Sequence, residues 1–152
     1  MFHTAAISRT VPCIEDPLHC HQVNATGSLG VFEAFEKTRI VHCSSNVTLG
    51  VPSPYKASKI AAEHYLHAYN DLYNANIIGL RFSNIVGPHL RKGDGAVLSM
   101  LRDCRAANNY VEVTGDGTQT RNFLFVEDAV DACMLAAFDS QHKGIVDVTT
   151  GI

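Results

Sequence analysis

Hydrophobic positions in this chain gather into short unbroken runs separated by longer amphipathic stretches. The runs "RIVHCSS" (39–45) and "NIIGLRFSNIVG" (76–87) lack polar/apolar alternation, which predicts strands buried on both faces, the second ending in a Gly-Pro turn. "MFHTAA" at the start reads as the tail of another buried strand entering a small-residue turn. Between the runs, Leu18, Val23, Leu29, Val31, Phe32 and Phe35 recur at loosely helical intervals over 16–37, with Pro17 near the start. Ile60, Ala61, Tyr65, Ala68, Leu72 and Tyr73 do the same beyond Tyr55. Further along, the pattern predicts a helix over "AVLSMLRDCRAA" (96–107), a strand "YVEV" (110–113) and a Gly-Asp-Gly turn. A strand "RNFLFV" (121–126), a helix "VEDAVDACMLAAF" (126–138) and a strand "GIVDVTT" (144–150) follow.

Helices alternating with near-continuous apolar strands predict an α/β fold, a doubly wound parallel sheet covered on both faces. The 152 residues suit one ordinary domain, and a hydrophobic share of 46% is that of a globular protein. A formal charge of −3, with no basic cluster carrying interleaved aromatics, argues against nucleic acid. No apolar run approaches the roughly 18 residues of a membrane helix, and "MFHTAAISRT" lacks the make-up of a signal peptide. A cytoplasmic setting without membrane contact is therefore expected. In that setting Cys13, Cys20, Cys43, Cys104 and Cys133, odd in number and without a C-x-x-C pair, are expected to be reduced thiols. His19/His21 and His64/His67 have no third ligand at a motif-like distance, so no metal is expected. The N-x-T triplets at Asn24 and Asn46 are read as chance.

Four segments line up in the order of the predicted strand ends: "HTAA" (3–6), "SSN" (44–46), "YKASK" (55–59) and "RFSNIVGP" (81–88). In a doubly wound sheet the carboxyl ends of neighbouring strands surround one ligand crevice. Ser45 at a strand end and Tyr55 at a helix start can converge on a substrate oxygen, with Lys59 one turn along the same helix face. A phenol of pKa about 10 is a poor base at neutral pH. A nearby ammonium favours the phenolate, each unit being worth about 1.4 kcal/mol, and makes the pair a usable general base.

Order and spacing resemble the extended short-chain dehydrogenase/reductase superfamily, in particular its NAD-dependent nucleotide-sugar epimerase/dehydratase family. "FHTAAIS" is similar to the family's strand-end segment at the nicotinamide cofactor, which implies cofactor contacts for His3, Ala5 and Ala6. "NATGSLGVFEAF" resembles its Asn-Val-x-Gly-Thr helix and gives Asn24 and Gly27 their matching positions, Asn24 as a cofactor-binding residue. "CSSNVTLG" resembles Ser-Ser-x-x-Val-Tyr-Gly and "SPYKASK" the Tyr-x-x-x-Lys signature. The resemblance therefore implies Ser45, Tyr55 and Lys59 as catalytic residues, with Tyr55 and Lys59 also meeting the cofactor. "RFSNIVGP" and "GDGTQTRNFLFVEDAV" resemble the family's substrate segments, which implies that Asn84 meets the nucleotide-sugar and Arg121 its diphosphate. The implied cofactor is NAD in preference to NADP, the implied chemistry is transient oxidation of a sugar carbinol, and the implied assembly is a homodimer through residues 21–37 and 56–74.

The departures from the family shape the expectation. Its glycine-rich phosphate turn should precede "FHTAA" by more than one βαβ unit, and the end of its substrate lobe is missing. The chain is thus expected to be one incomplete domain over 1–152: the later part of a Rossmann core (1–83), then mostly substrate-lobe elements with a returning strand (84–152). A catalytically silent fragment that dimerises or binds nucleotide-sugar is the alternative. Nine residues separate Ser45 from Tyr55, a short loop for the family; Leu49 replaces a tyrosine and Asn122 an aspartate. The dehydratases of this branch carry an Asp-Glu acid/base pair directly after the catalytic Thr, where this chain has Asn46 and Val47, so epimerase is expected over dehydratase.

Overall fold

The computed structural model describes residues 1–90, 101, 104–107, 110 and 116–151. The helix expected over 96–107 and the strand at 110–113 lie largely outside these residues. Four strands, β1 (Phe2–His3), β2 (Ile40–Ser45), β3 (Ile77–Phe82) and β6 (Gly144–Val148), form one sheet in the order β1-β2-β3-β6. Every neighbouring pair in it is parallel, with Ser45 opposite Phe82 and Phe82 opposite Val148. Between them run α1 (Thr10–Glu15), α2 (Pro17–His21), α3 (Gly27–Ala34) and α4 (Pro54–Leu72). A second, two-stranded parallel sheet pairs β4 (Asn84–Val86) with β5 (Phe123–Phe125), and α5 (Val126–Phe138) follows. The expected α/β parallel architecture is the one observed.

Side chains alternate across the sheet, as the pleat requires. On one face Val41, Ile78, Leu80 and Phe82 pack with Ala129 and Ala136 of α5. On the other, Ile40 and Ile77 pack with Phe32 of α3 and Leu66 of α4. Phe32, Leu66 and Ile77 are fully buried, each contributing about 1.5–3 kcal/mol by removal of apolar surface from water.

Two expected elements are subdivided. The helix over 16–37 is interrupted by a π-helical turn at Gln22–Thr26, flanked by α2 and α3; Asp16 caps its start by accepting from the His19 N–H at 3.0 Å. The run 76–87 breaks at Ser83: its first half stays in the main sheet and its second half crosses to the small one. An unbroken apolar run carries no mark of such a change of partner. The thiol expectation needs correction as well, since Cys13 and Cys20 are joined in a disulfide, while Cys43, Cys104 and Cys133 are free. The seven-residue separation gave no motif, and the short helices α1 and α2 bring the two together. Among the described residues no helix is long and apolar enough to cross a membrane.

Candidate active site

Ser53 and Pro54 set the start of α4: the Ser53 hydroxyl accepts the Lys56 N–H at 3.1 Å, and proline occupies the first helical position. Tyr55 and Lys59 thereby fall one turn apart on the buried side of the helix. The Tyr55 ring packs on the Cys13–Cys20 disulfide, Ile7 and Val47. Ser45, the last residue of β2, accepts the Val47 N–H at 3.3 Å, and its side chain lies beside the Tyr55 phenol. Burial pushes the phenol above its ordinary range, against the lowering expected from Lys59, and the Ser45 side chain pulls it part of the way back.

Lys59 is only 4% exposed, and its ammonium donates to the Cys43 carbonyl at 3.1 Å. Burial lowers its pKa, while Cys43 and Glu63 act to keep it charged. Its charge is felt at His3, His42 and Cys43. Burial, with the neighbouring Cys133, pushes the Cys43 thiol up to about 12, so it is a protonated core group rather than a nucleophile.

Behind Lys59 the space between α4 and the sheet changes from apolar to polar toward the strands' carboxyl ends. Glu63 Oε1 accepts from the Ser44 hydroxyl at 2.6 Å and from Arg81 Nε at 2.9 Å, and Oε2 accepts from Arg81 Nη2 at 2.6 Å. Asp147 lies 3.6 Å from Arg81 on the far side. Charges therefore alternate in sign from Lys59 through Glu63 and Arg81 to Asp147. Ser44 and Arg81 open the segments "SSN" and "RFSNIVGP" but were given no role of their own, and Glu63 was not singled out, although the four-residue step from Tyr55 to Lys59 continues to it.

His3 and Asn24 are buried, and their side chains are engaged within the chain. Asn24 accepts from the Ile7 N–H at 2.8 Å and donates to the Ile7 carbonyl and the Ser58 hydroxyl, both at 3.0 Å. Ser58 in turn donates to the Tyr55 carbonyl at 2.8 Å, so the π-helical turn that carries Asn24 is tied to the first turn of α4. The Ser28 hydroxyl donates to the Asn24 carbonyl at 2.6 Å, which leaves it to accept from His3 Nε2 at 2.9 Å. Next to His3, with ring centroids 5.1 Å apart, His42 is buried with both ring nitrogens unpartnered; burial first, then Lys59 and His3, hold its pKa down to about 3. Ala5 is exposed and Ala6 half-buried just past β1.

Asn84, the first residue of β4, and Arg121, two residues before β5, are exposed. Asn84 Nδ2 donates to the Asn122 carbonyl at 2.9 Å, and Arg121 Nη1 to the Thr120 carbonyl at 2.8 Å. Asn84 lies two residues past Phe82, the partner of Ser45, and Arg121 two residues before Phe123, the partner of Asn84. The register thus carries both toward the end of the sheet that holds Ser45. Cavities of about 300 and 240 Å³ open on α5 and beside β4, and neither is lined by Tyr55 or Lys59.

Residues 1–148 fit the model of the NAD dependent epimerase/dehydratase family. The chain belongs to this family. Among curated family members it is 29% identical to UDP-glucose 4-epimerase of Mycolicibacterium smegmatis, an alignment covering 100% of this chain and 55% of that protein. A solved UDP-N-acetylglucosamine 4-epimerase from Methanobrevibacter ruminantium, in complex with UDP-N-acetylmuramic acid, superposes with a TM-score of 0.92 at 27% identity over 99% of this chain and 55% of that one. MoeE5 in complex with UDP-glucose and NAD gives 0.87 at 29% identity, over 99% and 56%. The chain spans about half the length of these epimerase/dehydratase relatives.

Proposed function

We propose that this chain supplies the acid/base centre of an NAD-dependent nucleotide-sugar epimerase, with Tyr55 as the base, Ser45 as the group that orients the sugar oxygen and Lys59 as the cation beside them. The observation that carries this reading is the placing of the Ser45 side chain beside the Tyr55 phenol at the carboxyl end of β2, with the Lys59 ammonium held one helical turn away. A hydroxyl and a phenol side by side can share one incoming alcohol oxygen. Tyr55 then takes the alcohol proton, and Ser45 holds the oxygen as it becomes a carbonyl.

The donor set fits the ribose and nicotinamide end of the cofactor. Tyr55 and Lys59 offer a phenol and an ammonium on one helix face, and Ala5 and Ala6 have no side chain beyond Cβ to fill the space after β1. NAD held there by Tyr55 and Lys59 would supply the hydride acceptor and donor for the carbinol carbon. His3 and Asn24 support this end through Ser28, Ser58 and Ile7, while Asn84 and Arg121 meet the sugar nucleotide from the small sheet.

Epimerisation is favoured over dehydration because Asn46 and Val47, which begin the 3₁₀ turn after Ser45, provide no carboxyl acid/base pair. Exposed Phe35, Tyr65, Leu72 and Tyr73 on the segments 21–37 and 56–74 support a homodimer through those helices. The test is conversion of UDP-glucose to UDP-galactose by the gene product supplied with NAD, followed by NMR. Conversion that Tyr55→Phe abolishes supports the reading, and conversion equal in the wild type and in that variant removes Tyr55 as the base.

A further inference from the structure

We propose that Glu63 is a positioning residue for the active site, holding the buried Lys59 in its ammonium form while Ser44 and Arg81 fix the Glu63 carboxylate. The inference rests on the proposed role of Lys59 and goes one turn of α4 further. An ammonium at 4% exposure has lost nearly all its water and needs an opposite charge nearby. The Cys43 carbonyl provides a dipole, not a charge. The groups facing Lys59 are His3 on β1, His42 and Cys43 on β2, and Glu63 on its own helix. The two histidines are driven toward the neutral form and the Cys43 thiol is protonated, so Glu63 is the anion in this group.

Its carboxylate is immobilised on three sides: the Ser44 hydroxyl and two nitrogens of Arg81 engage both oxygens, at 2.6 to 2.9 Å. This explains a serine and an arginine on the α4-facing side of two central strands, where Ile40 and Ile77 stand nearer the amino ends. Asp147 faces Arg81 from β6, so the guanidinium is shared and does not neutralise Glu63 alone. A carboxylate fixed by two strands cannot swing away when a ligand approaches Lys59.

The test is an NMR titration of Lys59 in the 152-residue chain labelled with 13C-lysine, in the wild type, in Glu63→Gln and in Glu63→Gln/Arg81→Met. The double variant removes the guanidinium that the single variant leaves buried beside a neutral amide, so it keeps the experiment open where Glu63→Gln fails to fold. A fall of about one pH unit or more in the Lys59 midpoint, in whichever variant folds, is expected from loss of a close opposite charge. If Glu63 serves only to pair with Arg81, the double variant titrates like the wild type, and that result overturns the proposal. The titration is independent of catalysis: a moved midpoint without epimerisation keeps this inference and sinks the functional reading, and epimerisation with an unmoved midpoint does the reverse.

Discussion

Gly79 on β3 lies directly beneath Leu66 of α4: a Cβ at position 79 would stand 3.0 Å from Leu66 Cδ1 and 2.5 Å from Ile145 Cδ1. Ile145 is half-buried and can turn aside, whereas Leu66 is sealed in the core and cannot. Gly79→Ala is therefore expected to cost about 1–2 kcal/mol through overpacking. Denaturant midpoints measure it. Leu66→Ala should reduce the cost of Gly79→Ala, because the same methyl then finds space; strict additivity of the two changes would contradict the contact.

Tyr55→Phe removes the phenol and leaves the ring seated on Ile7, Val47 and the disulfide. Ser45 retains its contact with the Val47 N–H, so stability should change by no more than about 1.5 kcal/mol, the net value of one hydrogen bond. The turnover number should fall about 10²- to 10⁴-fold, the usual contribution of a general base. A fall confined to KM would place Tyr55 in binding and not in proton transfer.

His42 governs part of the acid limit of stability. Its folded pKa of about 3 lies below its ordinary value of 6.5, so between these values the unfolded chain binds the proton more tightly. The stability it contributes is complete above about pH 6.5 and is lost as the pH falls toward 3. Between pH 7 and pH 5 the loss should be about 2 kcal/mol. His3, shifted the same way, adds to it. In His42→Leu the pH dependence should flatten to the His3 share. Stability at pH 7 should not suffer beyond ordinary repacking, because two unpartnered buried nitrogens are gone. Urea midpoints at the two pH values decide it, and an equally steep variant would refute the assignment.

The Cys13–Cys20 bond closes a short loop beneath Tyr55. Cys13→Ala/Cys20→Ala should lose about 2–3 kcal/mol, the loop-closure value for a ring of this size. A thiol reductant should lower the wild-type midpoint and leave the double variant unmoved. A wild type indifferent to reductant would show the thiols to be unbonded.

The strands and α4 were legible because their cause is local: β-branched runs, a proline at the first helical turn, a serine cap. The placement of Tyr55, Lys59 and Ser45, at one helix face and one strand end, was legible from their spacing. The disulfide was not, since two cysteines seven apart meet only if α1 and α2 fold back, and nothing in the apolar pattern dictates that. The pairing of Glu63 with Arg81 was hidden for a related reason: a charge at a helical or strand position reads as solvated until both elements close over it. The role of Asn24 depended on the π-helical turn, and residue periodicity has no sign for one inserted residue.

That turn, Gln22–Thr26, sets the rotational phase of everything after it. A π-helical turn is an α-helix with one residue added, so deleting one residue from it would restore ordinary winding and rotate α3 by about 100°. Ser28 would leave His3, and Phe32 would leave the sheet. Two chains differing by this one residue would present different faces of the same helix to the same sheet, and their sequences would align correctly only with a single-residue gap.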